Sequence, residues 1–242
     1  MDGDADIAAI ASVIGHPARG RMLTALFRGP AMSAGELAAE AGVSASTASA
    51  HLARLTDSGL VVAERHGRRR LHRLADERVA EVIEGLALIA PAHRVRSLRD
   101  GNRSAAERAA RSCYDHLAGA AGVALTERLC TLGALAPDGL HIADPAPFQA
   151  LGVDVAAVDD DRGRRPLTRS CLDWSERRPH LAGALGAAVL QALLDDGWLV
   201  RRPRGRAVAV TPRGAARLRD AVGLDLSAVA PQAVDPALRR AA

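Results

Sequence analysis

The chain has 242 residues, of which 48% are hydrophobic, and a formal net charge of +4 at pH 7. This length is enough for two small domains with their own apolar interiors, and the apolar fraction excludes a disordered chain. All 32 basic side chains are arginine, a bias typical of a GC-rich genome, so the global charge is weak evidence for an anionic partner.

The first residues, MDGDAD, are acidic and lack the basic and apolar parts of a signal peptide. No apolar run in the sequence reaches the length that spans a membrane. We therefore expect a cytoplasmic protein without membrane contact, in which Cys113, Cys130 and Cys171 remain reduced.

Residues 33–75 predict two short helices followed by a β-ribbon. Ser33 and Glu36 form an S-x-x-E capping box at the start of the first helix, which Gly42 ends. Ser44 caps the second helix, and Gly59 ends it before a strand-forming run. This order of elements describes a winged helix-turn-helix, which places its second helix in the major groove of DNA.

The second helix carries small polar side chains outside an apolar stripe of Ala48, Leu52 and Leu55. Such side chains let a helix lie deep in the groove and form hydrogen bonds with bases or phosphates. The ribbon adds a cationic tip that suits contact with phosphates. The predicted DNA-binding residues are Ser44, Ser46, Thr47, Ser49, His51, Arg54, Arg68, Arg69 and Arg70.

Residues 8–90 resemble the ArsR-type (arsenic-repressor-like) transcriptional regulators. The matching segments are 10–26, 36–61 and the end of the ribbon at 72–74. The resemblance implies a module that dimerises through its outer helices and represses transcription from a two-fold symmetric operator. It does not extend to the family's best-known metal sites, because residues 37–40 lack a Cys-x-Cys pair and the helix after the ribbon lacks paired Asp and His ligands.

A second domain is predicted after a break at 99–108, with helices at 105–120, 122–135, 178–196 and 212–222. Residues 137–170 are predicted as mostly loop, with a short helix around 148–151. Residues 197–214 predict a second wing-like hairpin. The fold is therefore predicted as mainly α with small β-wings, in the α+β class. Residues 1–100 would form the DNA-binding and dimerisation domain, and residues 101–242 a helical domain for effector sensing or dimerisation.

The pattern HLAGAxGxA occurs twice in this second half, beginning at His116 and at His180. Each copy follows a Cys-x-Asp triplet, 113–115 in the first case and 171–173 in the second. The blocks CYDHLAG and CLDWSERRPHLAG also resemble the C-terminal extensions of long-form ArsR-type regulators. The candidate effector-binding residues are Cys113, Tyr114, Asp115, His116, Cys171, Trp174 and His180.

Three interpretations of this cluster remain open. The first is a pocket for an organic effector, with aromatic walls and polar groups from Asp, His and Arg side chains. The second is a metal site of Cys113, His116, Cys171 and His180, in which the first two share a helical face but the last two are widely spaced. The third is a structural role for buried thiols and hydrogen-bonded histidines. Thiol oxidation is a variant of the first two.

Phosphate-binding glycine loops, nucleophile elbows and zinc-protease motifs do not occur in the sequence, so we expect no enzyme. We expect a homodimeric repressor of double-stranded DNA that a small-molecule effector releases from an inverted-repeat operator. No cofactor is expected, with a metal ion at the Cys/His cluster as the exception. The alternatives are a metal- or thiol-redox-responsive repressor and a DNA-binding protein without an effector.

Overall fold

The computed structural model describes residues 4–28, 31–91, 97–138, 140–203 and 205–226. The chain divides into two compact units, Met1–Leu86 and Ala87–Ala242. The division falls earlier than the predicted boundary at residue 100, because the helix Leu98–Ala109 packs against elements of the second unit.

The first unit has the element order of a winged helix-turn-helix. Its elements are α1 (Ile7–Ile14), α2 (Pro17–Arg28), β1 (Met32–Ser33), α3 (Ala34–Ala41), α4 (Ala45–Asp57), β2 (Val61–His66), β3 (Arg69–Leu74) and α5 (Glu77–Ile89). The strands form an antiparallel sheet in the order β1-β3-β2. The predicted pair of helices and the wing that follows them are confirmed.

Local sequence signals explain these boundaries. The Ser33 side chain accepts a hydrogen bond from the Glu36 amide, and the Glu36 carboxylate accepts one from the Ser33 amide, so α3 begins with the predicted capping box. Gly42 ends α3 at φ +67°, a left-handed conformation that favours glycine. The apolar faces of α2, α3 and α4 then meet in the core around Leu37 and Leu55.

The second unit alternates helices with small hairpins. Its elements are α6 (Leu98–Ala109), β4 (Arg111–Cys113), β5 (His116–Ala118), α7 (Ala120–Thr131), α8 (Ala146–Ala150), α9 (Val155–Asp161), β6 (Arg169–Leu172), β7 (Pro179–Ala182), α10 (Gly183–Asp195), β8 (Leu199–Arg201), β9 (Val208–Val210) and α11 (Pro212–Val222). The α+β class is confirmed, and β8–β9 is the second wing-like hairpin. Among the described residues, no helix has both the length and the apolar character needed to cross a membrane.

Two predicted helices are only partly helical, the first at its N-terminal end and the second over its C-terminal part. The helix predicted at 105–120 is replaced by the end of α6 and the hairpin β4–β5, and the one predicted at 178–196 opens with β7. The break predicted at 99–108 lies inside α6, and α9 occupies part of the predicted loop, whereas α8 lies where a short helix is predicted. Long-range pairing explains the first error: Arg111 bridges to Ala207 and the Ser112 amide donates to the Arg206 carbonyl, which overrides the helix propensity of an alanine-rich segment.

The second unit contains the same hairpin–helix arrangement twice. Hairpin β4–β5 leads into α7 and hairpin β6–β7 leads into α10, and each helix also packs against the hairpin of the other copy. Gly122 and Gly186 occupy equivalent positions in the two helices. A Cβ atom at these positions would lie 2.4 Å from the Leu117 carbonyl oxygen and 2.7 Å from the Leu181 carbonyl oxygen. The repeated HLAGAxG pattern therefore encodes a close approach of each helix to its own hairpin.

Asp173 and Arg111 form a buried ion pair in this unit. Arg111 Nη2 donates to Asp173 Oδ2 at 2.9 Å, and both side chains are fully buried. Asp173 also accepts hydrogen bonds from the amides of Gly119 at 2.7 Å and Ser175 at 2.9 Å. Burial would raise the pKa of Asp173, but the guanidinium and these hydrogen bonds outweigh burial and lower it. The ion pair thus links β4, the start of α7 and the β6–β7 turn.

Asp173→Ala should lower the free energy of unfolding of the second unit by about 3–5 kcal/mol, because it leaves the Arg111 guanidinium buried without its counter-charge. Urea titration followed by tryptophan fluorescence measures this unit selectively, since Trp174 and Trp198 are the two tryptophans of the chain and both lie in it. Asp159→Ala is the control. It removes an exposed partner of Arg162 in the same unit and should cost less than about 1 kcal/mol. Equal losses in the two variants would contradict a structural role for the buried pair.

Candidate nucleic-acid interface and a buried cysteine–histidine cluster

Helix α4 presents small polar side chains to solvent. Ser44 caps the helix, because its side chain accepts a hydrogen bond from the Thr47 amide at 3.2 Å. Ala48, Leu52 and Leu55 are buried on the core side. The predicted DNA-binding residues that lie exposed here are Ser44, Ser46, Thr47, Ser49 and Arg54.

His51 differs from the other predicted residues of α4. Its ring packs against the ring of His16, with 4.4 Å between centroids, and its Nδ1 lies 3.5 Å from Nη1 of Arg19. Burial and the nearby His16 and Arg19 side chains lower the pKa of His51. The residue follows buried Ala48 by three positions, which places it at the edge of the core stripe rather than among the exposed hydroxyls.

The wing ends in a cluster of exposed arginines. Gly67 forms the tip at φ +60°, and Arg68, Arg69 and Arg70 are exposed beside it. Arg65 lies directly opposite Arg70 in the β2–β3 register. Like charges at directly opposed positions destabilise a hairpin, so this arrangement favours an anion that would bind between them. Sequence reasoning passed over Arg65 as a partner of Arg70 because the register was unknown.

Each of the hairpins β4–β5 and β6–β7 pairs a cysteine with a histidine. Cys113 is the antiparallel partner of His116, and Cys171 is the partner of His180. The prediction that Cys113 and His116 share a helical face is wrong, because both lie in a hairpin. The wide spacing of Cys171 and His180 along the chain reflects a longer turn between β6 and β7.

The two hairpins bring these four side chains together. The Sγ atoms of Cys113 and Cys171 are 4.0 Å apart, and the ring centroids of His116 and His180 are 5.1 Å apart. One ligand atom from each of the four side chains lies within 4.8 Å of the other three. Cys171 is half-buried and the other three are buried.

A carboxylate lies beside each histidine of the cluster. Asp115 Oδ1 is 3.4 Å from His116 Nδ1, and the Arg165 guanidinium donates to both oxygens of Asp115 at 2.7 and 3.0 Å. Oδ2 of Asp173, the carboxylate of the buried ion pair, is 3.8 Å from His180 Nδ1. Both carboxylates are therefore held by arginine while they face an imidazole.

Neighbouring groups set the protonation of the cluster. Burial would lower the pKa of His116, but the neighbouring Asp115 carboxylate and Cys171 thiol outweigh burial and raise it. The Cys113 thiol holds the pKa of Cys171 well below its usual range, with help from His116 and His180 and against the effect of burial. These effects favour the thiolate of Cys171, which is the form that binds metals.

The two aromatic residues predicted to contact an effector lie in the hairpin turns. Tyr114 has φ +56°, and the Trp174 ring packs 5.0 Å from the Arg111 guanidinium. A cavity of about 340 Å³ lies next to the cluster, since its wall includes His180. Neither Tyr114 nor Trp174 belongs to that wall. Of the predicted effector residues, His180 thus lines the cavity, whereas Tyr114 and Trp174 lie in the hairpin turns outside its wall.

Sequence reasoning missed the arginines that hold the two carboxylates. A signal existed for Arg111, because both hairpins begin with the pattern Arg-Ser-Cys-x-Asp, at 111–115 and at 169–173. Arg165 lies in a segment without periodicity, and its contact with Asp115 depends on the tertiary fold. Cys130, in contrast, packs at the edge of the apolar core, and burial raises the pKa of its thiol.

The chain is similar in sequence to known helix-turn-helix proteins. Residues 14–63 match the family model described as a helix-turn-helix domain. The HTH-type transcriptional regulator YdfF of Bacillus subtilis (strain 168) is 41% identical over 213 residues, or 86% of this chain and 93% of that protein. The HTH-type transcriptional regulator YgaV of Escherichia coli (strain K12) is 40% identical over 79 residues, or 33% of this chain and 80% of that protein.

Among solved structures, a similar one is the homodimeric winged helix-turn-helix DNA-binding domain of Mb0332 from Mycobacterium bovis, described as a possible ArsR-family regulator. It is 27% identical, covers 39% of this chain and 100% of its own, and has a TM-score of 0.32. The similarity to YdfF extends over both units of the chain, and the first unit has the winged helix-turn-helix fold. The chain therefore belongs to the HTH-type transcriptional regulators.

Proposed function

We propose that this regulator is a homodimeric repressor that binds a specific inverted-repeat operator and is released from it by a small-molecule effector. The observation that carries the proposal is the surface formed by the exposed polar side chains of α4 together with the arginines at the wing tip.

This surface has the chemistry needed to read DNA. Ser46 and Thr47 lie exposed in the first turn of α4, where a recognition helix contacts base edges. Arg54 adds a guanidinium, which can form paired hydrogen bonds with guanine or bind a phosphate. Arg68 and Arg69 are exposed, so their charges are available to the DNA backbone.

The homodimer is supported by apolar side chains on the outer helices of the first unit. Helix α1 contains no buried residue, although its sequence is IAAIASVI, and Ile7 is 78% exposed. Helix α5 likewise exposes Val82 and Leu86, which lie four residues apart on one face. Neighbouring exposed apolar side chains of this kind are typical of a subunit interface. A two-fold dimer would place two α4 helices about one turn of DNA apart.

The effector is supported by the cavity in the second unit. Its volume of about 340 Å³ falls in the range of small-molecule sites, and polar groups of Thr126, Glu127, Ser170 and His180 contribute to its wall. An effector that binds one arrangement of the dimer more tightly than the DNA-bound arrangement would shift the population and release the operator.

Selection of duplexes from a random library by the full chain should yield an inverted repeat with half-sites about 10 bp apart, centre to centre. Leu86→Glu places a charge in the proposed interface but not in the core, so it should give a folded monomer that prefers a single half-site and binds it weakly. Leu172→Glu is the matched control, since this leucine is exposed in the second unit, and it should remain dimeric. Native mass spectrometry reports the assembly state.

A monomeric wild-type chain, or a Leu86→Glu variant that keeps the dimer and the inverted repeat, would contradict the proposed interface. Selected duplexes without a shared sequence would contradict specific binding.

The double variant Arg69→Ala/Arg70→Ala should weaken binding to all duplexes and reduce the slope of log K against log salt by about 0.9 for each phosphate that the wing no longer neutralises. Fluorescence anisotropy over a salt series measures both effects. The control Arg213→Ala/Arg217→Ala removes the same charge from exposed positions of α11 in the second unit and should leave the slope unchanged. If the two double variants change the slope equally, the wing does not bind the DNA backbone locally and the proposal fails on this point.

A further inference from the structure

We infer that Cys113, His116, Cys171 and His180 bind one divalent cation of the zinc class, which joins the two duplicated hairpins of the second unit. The site is separate from the proposed DNA-binding surface and does not depend on it. Four arguments support the assignment: the donor set, the spacing, the unpartnered ring nitrogens and the flanking carboxylates.

The donor set is that of a tetrahedral zinc site. Two thiolates and two imidazoles select zinc over magnesium or calcium, which prefer oxygen ligands. Two thiolates and two neutral imidazoles also balance the charge of a divalent ion, so the buried site carries no net charge. The neighbouring Asp173–Arg111 and Asp115–Arg165 pairs are neutral as well.

The spacing fits the same geometry. Zinc–sulfur bonds of about 2.3 Å place two sulfur ligands of a tetrahedron about 3.8 Å apart. The Sγ atoms of Cys113 and Cys171 are 4.0 Å apart, and the ligand atoms of all four side chains lie within 4.8 Å of one another. Small side-chain rotations are therefore sufficient to close the site.

The histidines have buried nitrogens that lack hydrogen-bond partners. His180 is fully buried, and neither of its ring nitrogens forms a hydrogen bond with any residue that the structure describes. Nε2 of buried His116 likewise has no hydrogen-bond partner within the described part of the chain. Unsatisfied buried polar atoms are costly and rare in folded proteins. Coordination of a metal would satisfy one nitrogen of each ring.

A carboxylate lies near Nδ1 of each ring, at 3.4 Å from His116 and 3.8 Å from His180. Metal-bound histidines commonly donate their other ring N–H to a carboxylate, which fixes the tautomer. Asp115 faces Nδ1 of His116 and so leaves Nε2 for the metal, while Asp173 lies closest to Nδ1 of His180. Because four protein ligands leave no position for substrate or water, the site is structural.

Metal analysis of the untagged full chain, expressed with added zinc and purified under reducing conditions, tests the inference. About one zinc ion per chain is expected, with an excess mass in native spectra that disappears on denaturation. Cys113→Ser and Cys171→Ser should each lose the bound zinc. Cys130→Ser is the matched control, because the Cys130 thiol lies outside the cluster and donates a hydrogen bond to the Ala136 carbonyl. This variant should retain zinc.

Cobalt titration of the metal-stripped wild-type chain provides a second test that requires no variant. Thiolate-to-cobalt charge-transfer bands and intense tetrahedral d–d bands should saturate at about one Co²⁺ per chain. Metal removal should also lower the midpoint of thermal unfolding followed by tryptophan fluorescence.

Three results would overturn the assignment. They are a wild-type chain that binds neither zinc nor cobalt after reduction, a weak octahedral cobalt spectrum, and equal zinc loss in Cys130→Ser. A reduced chain that reverts at once to a Cys113–Cys171 disulfide, seen as a mass lower by two hydrogens, would assign the thiols to that bond instead.

Discussion

In both β4–β5 and β6–β7, the strand register places a cysteine directly opposite a histidine, and the arrangement of the second unit depends on this pairing. A slip of one residue in either hairpin would turn every side chain to the other face and separate the cluster. The register is held from outside the hairpins. Gly122 and Gly186 let α7 and α10 approach the strand carbonyls, and Asp173 binds both the Arg111 side chain and the start of α7.

In the first unit, the function depends on exposed side chains of α4 and the wing rather than on a buried cluster. The apolar stripe of α4 fixes the helix against α2 and α3, and the small hydroxyl side chains on the other side have no packing role. At the wing tip, the exposed arginines also have no packing role. Arg65 lies directly opposite Arg70, and this pair of like charges weakens the isolated hairpin. Destabilisation by like charges is common on protein surfaces that bind a partner of opposite charge.

The two units differed in how far they could be predicted from sequence. In the first unit, local signals such as the Ser33–Glu36 capping box and Gly42 act within a few residues, and they marked the helix boundaries correctly. His51 was assigned to the DNA-facing set because its residue type suits base contact, although its position relative to Ala48 places it near the core.

In the second unit, the repeated pattern was visible but its geometry was not. Residues 111–113 form a strand because Arg111 and Ser112 pair with the segment around Arg206, almost a hundred positions away, and periodicity contains no such information. The relation of Cys171 to His180 similarly required the register, since a hairpin with a long turn brings distant residues together. The repeated pattern therefore predicted the four Cys and His residues as one of three interpretations, whereas the hairpin register that brings them together could not be predicted from it.

X-ray absorption at the zinc K-edge of the zinc-loaded full chain tests the central claim most directly, because it measures the ligands that the duplicated hairpins bring to one point. A first shell of two sulfur atoms at about 2.3 Å and two nitrogen atoms at about 2.0 Å is the predicted result. A shell of nitrogen and oxygen alone, or one with a single sulfur, would contradict the convergence of both hairpins on the metal.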